Sequence, residues 1–144
     1  MCQHVKENDY SVLCDFRSTV TQEFTEHTFR WLINSVYSNT YRILRDESNH
    51  PIGYIIWASI CKDSFLKISH FGGYPKYSFE WQEGNITLIL EIVINDSDKS
   101  SAFKQLRQFI KSKKILTFIN KNRGKLYLKK NNKRCLTTTD FSKR

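Results

Sequence analysis

Residues 86–94 read ITLILEIVI, the most apolar stretch of the chain. Its length and its β-branched content favour a strand in the middle of a sheet. Pleating places Leu88, Leu90, Ile92 and Ile94 on one fully aliphatic face, and Thr87, Ile89, Glu91, Val93 and Asn95 on the other. Glu91 is the one ionisable group within the strand. A carboxylate between Ile89 and Val93 is costly to bury unpaired, so a partner or a functional role is expected for it.

Upstream, Tyr41–Arg45 reads as a short strand and Ile52–Ile60 as a second, joined by the polar turn Asp46-Glu47-Ser48-Asn49-His50 and Pro51, which makes a β-hairpin. Residues 16–37 predict one helix starting near Thr19-Val20-Thr21-Gln22 and ending at Ser38-Asn39. Phe29, Leu32, Ile33 and Val36 form its apolar stripe, and Phe24, His27 and Trp31 lie on a neighbouring face. Ser64–Ser69 reads as a third strand, and residues 70–77, HFGGYPKY, as a loop. Downstream, the cap-rich NDSDKSS (95–101) precedes an amphipathic helix carrying Phe103, Leu106, Phe109 and Ile110. Ile115–Ile119 and Lys125–Leu128 predict two more strands. The order helix, hairpin, strands, helix, strands is that of a single α/β sheet domain over 1–144, with 1–15 and 131–144 frayed.

The net charge of +9 is unevenly spread: from Lys104 onward the chain holds 14 of its 23 Lys/Arg and one of its 14 acids, Asp140. A basic surface of this kind raises the local concentration of an anionic partner: nucleic acid, anionic lipid or an acidic carrier protein. It also reads as a solvated face that aids solubility. Cys2, Cys14, Cys61 and Cys135 form no Cys-x-x-Cys pair and lack zinc-ligand spacing, so free thiols in a reducing cytoplasm are expected, with no metal. There is no apolar leader and no run of 18 apolar residues, so neither a secretory signal nor a membrane span is expected.

Two blocks resemble a known family. In NTYRILRDESNHPIGYIIWASI (39–60), Tyr41, Asp46, Pro51, Tyr54, Trp57 and Ala58 match a signature of the RTX toxin-activating lysine acyltransferases. In EWQEGNITLILEIVINDSD (80–98), Glu80-Trp81, Gly84 and Glu91 match that family's acid-Trp pair, Gly turn and acid-bearing strand, and an amphipathic helix follows in the right place. The resemblance covers roughly residues 25–125. It implies a GNAT-like fold with a central mixed, mostly antiparallel sheet flanked by helices. It also implies acyl transfer from an acyl-carrier protein to the ε-amine of internal lysines on a protoxin. The family's two key residues are a histidine near the N-terminus and an aspartate on the central strand; His27 and Glu91 are their matches here.

The chain departs from the family in several places. Glu91 replaces the aspartate, EIVIN (91–95) lacks the family's Trp and Pro, the segment between the histidine and the hairpin is shorter, and no Trp-rich motif precedes His27. This pattern is similar to a divergent branch that works in microcin maturation, joining a siderophore-type group to the C-terminus of a microcin precursor. Both substrates stay open at this level, as do action alone, a homodimer, work with a second maturation subunit, and a role as a non-catalytic partner subunit of a modification complex.

The chemistry suits these residues. Histidine, with a pKa near neutrality, can take a proton from an attacking amine or hydroxyl, or accept the acyl group itself. A carboxylate beside it would set its tautomer and stabilise the imidazolium. As a plain structural residue, His27 between Phe24 and Trp31 would be a half-buried surface histidine, and Glu91 a solvent-facing one. His4, His50 and His70 fall at a terminus, a turn and a Gly-rich loop. Trp57 is assigned to the core. No Arg/Gln-x-x-Gly-x-Gly/Ala loop for the CoA pyrophosphate is present; NRGK (122–125) has a single Gly. An acyl-carrier-protein-linked donor, or a siderophore-type donor, is therefore expected in place of a bound cofactor. A nucleic-acid-binding module is the competing reading of the charge, but the basic stretch carries no base-reading motif.

Overall fold

The computed structural model describes residues 2–20, 26–71, 73–75, 77–95, 98–120, 125–130 and 133–137, and their side chains except at 2–7, 26, 27, 78, 119, 120 and beyond. In chain order the elements are α1 (Cys2–Val20), α2 (Glu26–Tyr37), β1 (Tyr41–Arg45), β2 (Pro51–Ile60), α3 (Lys62–Phe71), a 3₁₀ turn (Ser78–Trp81), β3 (Ile86–Ile94), α4 (Lys99–Ser112), β4 (Ile115–Asn120), β5 (Lys125–Lys130) and β6 (Lys133–Thr137). The strands lie in one mixed sheet in sequence order, β1 to β6. β1 pairs antiparallel with β2, β3 parallel with β4, and β4, β5 and β6 antiparallel in turn. The parallel pair requires a long crossover, which α4 supplies. This is the α/β architecture, helices about a mixed and mostly antiparallel sheet, that the GNAT-like expectation describes.

The chain divides into two compact units: residues 1–56 with 91–107, and residues 57–90 with 108–144. In the first, α1 packs on α2, and Leu13, Leu32, Val36, Leu44, Tyr54, Ile55 and Val93 are buried. α2 ends in a hydrogen-bonded reversal: Thr40 N–H donates to Ser35 C=O at 2.8 Å and Asn39 N–H to Val36 C=O at 3.2 Å, with Asn39 at φ 58°. Asparagine tolerates that left-handed position better than most residues, which is why Ser38-Asn39 stops the helix. The hairpin turn is closed by Asp46, whose carboxylate accepts from His50 N–H at 2.8 Å while Asn49 takes φ 67°. Gly53 lets β3 approach closely: a Cβ there would sit 2.7 Å from the Val93 carbonyl.

In the second unit, Trp57, Phe65, Trp81, Leu88 and Phe109 are buried. The Trp57 and Phe109 rings lie 4.6 Å apart, with the Lys113 ammonium 5.1 Å from the Trp57 ring centre. Trp57 is thus a core residue, as expected. Gly84 donates its N–H to Ser59 C=O at 3.1 Å, and a Cβ on it would fall 2.2 Å from the Ile60 carbonyl oxygen.

Four local readings change. The helix expected over 16–37 is two: α1 runs on to Val20 and α2 starts at Glu26. Of its expected apolar stripe, Leu32 and Val36 are buried whereas Phe29 and Ile33 are exposed, and the stretch 16–20 continues an earlier helix whose i, i+4 pair Leu13 and Arg17 is buried. α1 itself occupies most of the expected frayed start, and β6 lies within the expected frayed end. Ser64–Ser69 is helical, inside α3. Phe65 and Ile68, three apart, are its buried pair, and the Cys61 carbonyl and sulfur accept from the N–H groups of Phe65 and Ser64 at its start. A six-residue window with three apolar residues fits either period, so packing decided it. Finally, β3 is buried on both faces from Ile86 to Leu90, whereas Ile92, on its supposed aliphatic face, is 38% exposed.

Candidate functional site

Glu91 lies on the stretch of β3 that belongs to the first unit, and its side chain is 12% exposed. Two side chains from other elements of that unit meet it. Arg17, in the last turn of α1 and 10% exposed, places Nη1 against Glu91 Oε2 in an ion pair. Tyr54, in β2 and 1% exposed, donates its hydroxyl to Glu91 Oε1. Arg17 Nη1 also donates to the Tyr54 oxygen at 3.3 Å, so the three groups close a triangle. Phe16, next to Arg17, packs its ring edge-on to Tyr54, with centroids 6.1 Å apart.

The electrostatics follow from burial and proximity. Burial pushes the Tyr54 phenol far above its ordinary range, and the adjoining Glu91 carboxylate pushes it further; the Arg17 guanidinium opposes this without reversing it. Tyr54 therefore stays protonated and is available as a donor. Burial works against the Arg17 charge, but its contacts with Tyr54 and Glu91 outweigh that and leave it more firmly protonated than in water. A carboxylate buried alone would cost several kcal/mol, roughly, and here a cation and a phenol offset that cost. The partner expected for Glu91 from its apolar neighbours is thus Arg17, with Tyr54.

Arg17 and Tyr54 were not read from the sequence as site residues. Tyr54 stood out only as a signature position in a core strand, and Arg17 as part of a predicted helix. The available signal was the isolated carboxylate, which calls for a nearby cation. Arg17, Arg30, Arg42 and Arg45 all precede it, and spacing alone cannot choose among them.

The backbone of His27 stands in the first turn of α2, within the same unit as Glu91. Its side chain, and hence the expected His27–Glu91 pairing, lies outside the described residues. His4 is in α1. His50 is largely exposed at the hairpin turn, 3.8 Å from Asp46. His70 sits in the last turn of α3 rather than in a loop, its ring 6.4 Å from that of Phe71. Residues 122–124 of NRGK also lie outside the described residues, and Lys125 opens β5. Glu80 of the signature pair accepts from Tyr77 N–H at 3.1 Å, a local cap of the 3₁₀ turn.

The second unit holds a cavity of about 310 Å³ lined by Ser64, Lys67, Tyr74, Tyr77 and Glu80 among others. None of the expected site residues lines it. Among the described residues, no three His, Cys, Asp or Glu side chains converge as a metal site, and no helix is long and apolar enough to cross a membrane.

The family model described as the RTX toxin acyltransferase family matches residues 12–137 of the 144. No curated protein sequence matches the chain. The matched range includes Arg17, His27, Tyr54 and Glu91.

Proposed function

The chain belongs to the RTX toxin acyltransferase family, a family of enzymes, and from that premise we propose that it moves an acyl group from an acyl-carrier-protein thioester to the side-chain amine of internal lysines on a protoxin, in the cytoplasm. The observation that carries the site is Glu91, held on β3 by Arg17 and Tyr54 at the position matching the family aspartate. His27 takes the proton of the attacking amine. A C–N bond forms at the acyl carbon, the C–S bond breaks, and the thiol leaves with a proton. Glu91 supplies negative charge that favours an imidazolium. The absence of a pyrophosphate-cradling loop from the sequence supports a carrier-linked donor over free CoA. The exposed Lys104 and Arg107 on α4 offer charge for an acidic carrier protein.

The absence of the family's Trp and Pro from residues 91–95 favours a second reading, in which the acceptor is a microcin precursor and the transferred group is of siderophore type, with a second subunit. Co-expression of the chain with a protoxin, and separately with a candidate microcin precursor, followed by intact-mass and fragment-ion analysis, separates the two. Acyl adducts on internal lysines support the first reading, and an adduct at the peptide C-terminus supports the second. The absence of both, with folded protein present, sinks both. Full activity of His27→Ala would remove His27 from the reaction.

A further inference from the structure

Resting on the reading of Glu91 as a site residue, we infer that Arg17 and Tyr54 are its positioning residues, and that they hold Glu91 as a fixed anion that does not itself accept the proton during turnover. The argument is one of donors and acceptors. A guanidinium only donates, an ionised carboxylate only accepts, and a phenol does both. The three contacts are satisfied together when the phenol proton points to Glu91 Oε1, and Arg17 Nη1 donates to Glu91 Oε2 and to the phenol oxygen. Each oxygen of the carboxylate then has a charged or polar donor.

Protonating Glu91 would withdraw the counter-charge from a guanidinium whose side chain is only 10% exposed, and would redirect the phenol proton. A group that must gain and lose a proton in every cycle is poorly served by such a setting, whereas a group that must keep its charge and its rotamer is well served. The raised position of the Tyr54 phenol agrees, because a phenol that stays protonated keeps its donor. The set also ties α1 to the two strands: Arg17 comes from α1, Tyr54 from β2 and Glu91 from β3, and Phe16 of α1 packs on the Tyr54 ring. The rotamer of Glu91 is therefore set by the seating of α1.

The test is steady-state acyl transfer by the full-length chain, with donor and acceptor varied separately. The variants are Tyr54→Phe, Arg17→Lys, Arg17→Met, Glu91→Gln and the double variant Tyr54→Phe/Glu91→Gln, each checked for folding by thermal melt. Tyr54→Phe is expected to lower kcat about tenfold with both KM values unchanged, since it acts on the carboxylate and not on substrate binding. In the Glu91→Gln background, Tyr54→Phe is expected to add about nothing, because it acts through Glu91. Arg17→Lys, which keeps the charge, is expected to recover part of the activity lost in Arg17→Met. An additive loss in the double variant, or a raised KM with intact kcat, overturns the inference. If Glu91→Gln is slow but Tyr54→Phe is fully active, the positioning role fails and the reading of Glu91 stands. If Glu91→Gln keeps full turnover, that reading fails and takes the inference with it. Should the Arg17 variants not fold, Tyr54→Phe, which removes one oxygen, still decides.

Discussion

At Glu91 a guanidinium meets one carboxylate oxygen and a phenol the other, and the value of each contact depends on what is left behind when it is removed. Arg17→Met strands a carboxylate in a site where it is 12% exposed, so a loss of about 3–5 kcal/mol is expected in urea unfolding. Tyr54→Phe leaves the ion pair in place, so a smaller loss of about 1.5–3 kcal/mol is expected. Equal losses would mean that the guanidinium offsets the buried carboxylate no more than the phenol does. A second contact of α1 is expected to show in alkali. Tyr41 donates its hydroxyl to Asp9, and burial, then that carboxylate, push the phenol up to about 12 from 10.0. The folded state thus holds the proton more tightly, and the resulting stability is complete below pH 10, then lost as pH rises through about 12. Tyr10, raised to about 12 chiefly by burial, adds to the same loss. Tyr41→Phe should flatten part of the fall in urea midpoint above pH 10; an unchanged slope would exclude the contact with Asp9. Glu91 was legible in the sequence because it interrupts an apolar strand, but its partners were not, since they come from residues 74 and 37 positions away in other elements.

The elements themselves show where periodicity is enough and where it is not. β1, β2, β3, α4, β4 and β5 all stand where turn residues and apolar patterns predict them. Long or strongly patterned segments carry redundant signal, and the punctuation around them is explicit: Asn49 before Pro51, and NDSD before α4. α3 departs from the strand expectation because its six central residues fit two periods, and only burial of Phe65 and Ile68 together selects the helix. The run 16–37 does not announce its two helices, because an apolar pattern does not mark where one helix stops and another starts when no Gly or Pro intervenes. Gly84 offers a test at this scale. It matches the signature turn, and its missing side chain is what lets its segment lie against the backbone of Ile60 and Cys61. The clashing atoms are backbone and have little room to yield, so Gly84→Ala should cost about 1–3 kcal/mol or more, read as a lower melting temperature and urea midpoint. A wild-type melt for Gly84→Ala would rule out this close approach.

For the whole molecule, charge and family membership set the expectations. If the donor is carried by an acidic carrier protein, as proposed above, the net charge of +9 should steer that association electrostatically. Raising salt from about 0.05 to 0.5 M, which shrinks the screening length well below the span of a contact surface, should weaken such a complex by about tenfold or more in titration calorimetry. A salt-insensitive Kd would assign the basic surface to solubility alone. The sequence by itself determined the α/β class, the central strand with its lone carboxylate, the hairpin and the family, all of which depend on local pattern or on motifs a few residues long. Tertiary structure alone decided that α1 brings Arg17 to Glu91, that Tyr54 turns its hydroxyl to the same carboxylate, and that α3 is a helix. Those outcomes depend on which distant surfaces are buried together, because the cost of an unpaired buried charge is relieved only by a partner that folding brings into contact.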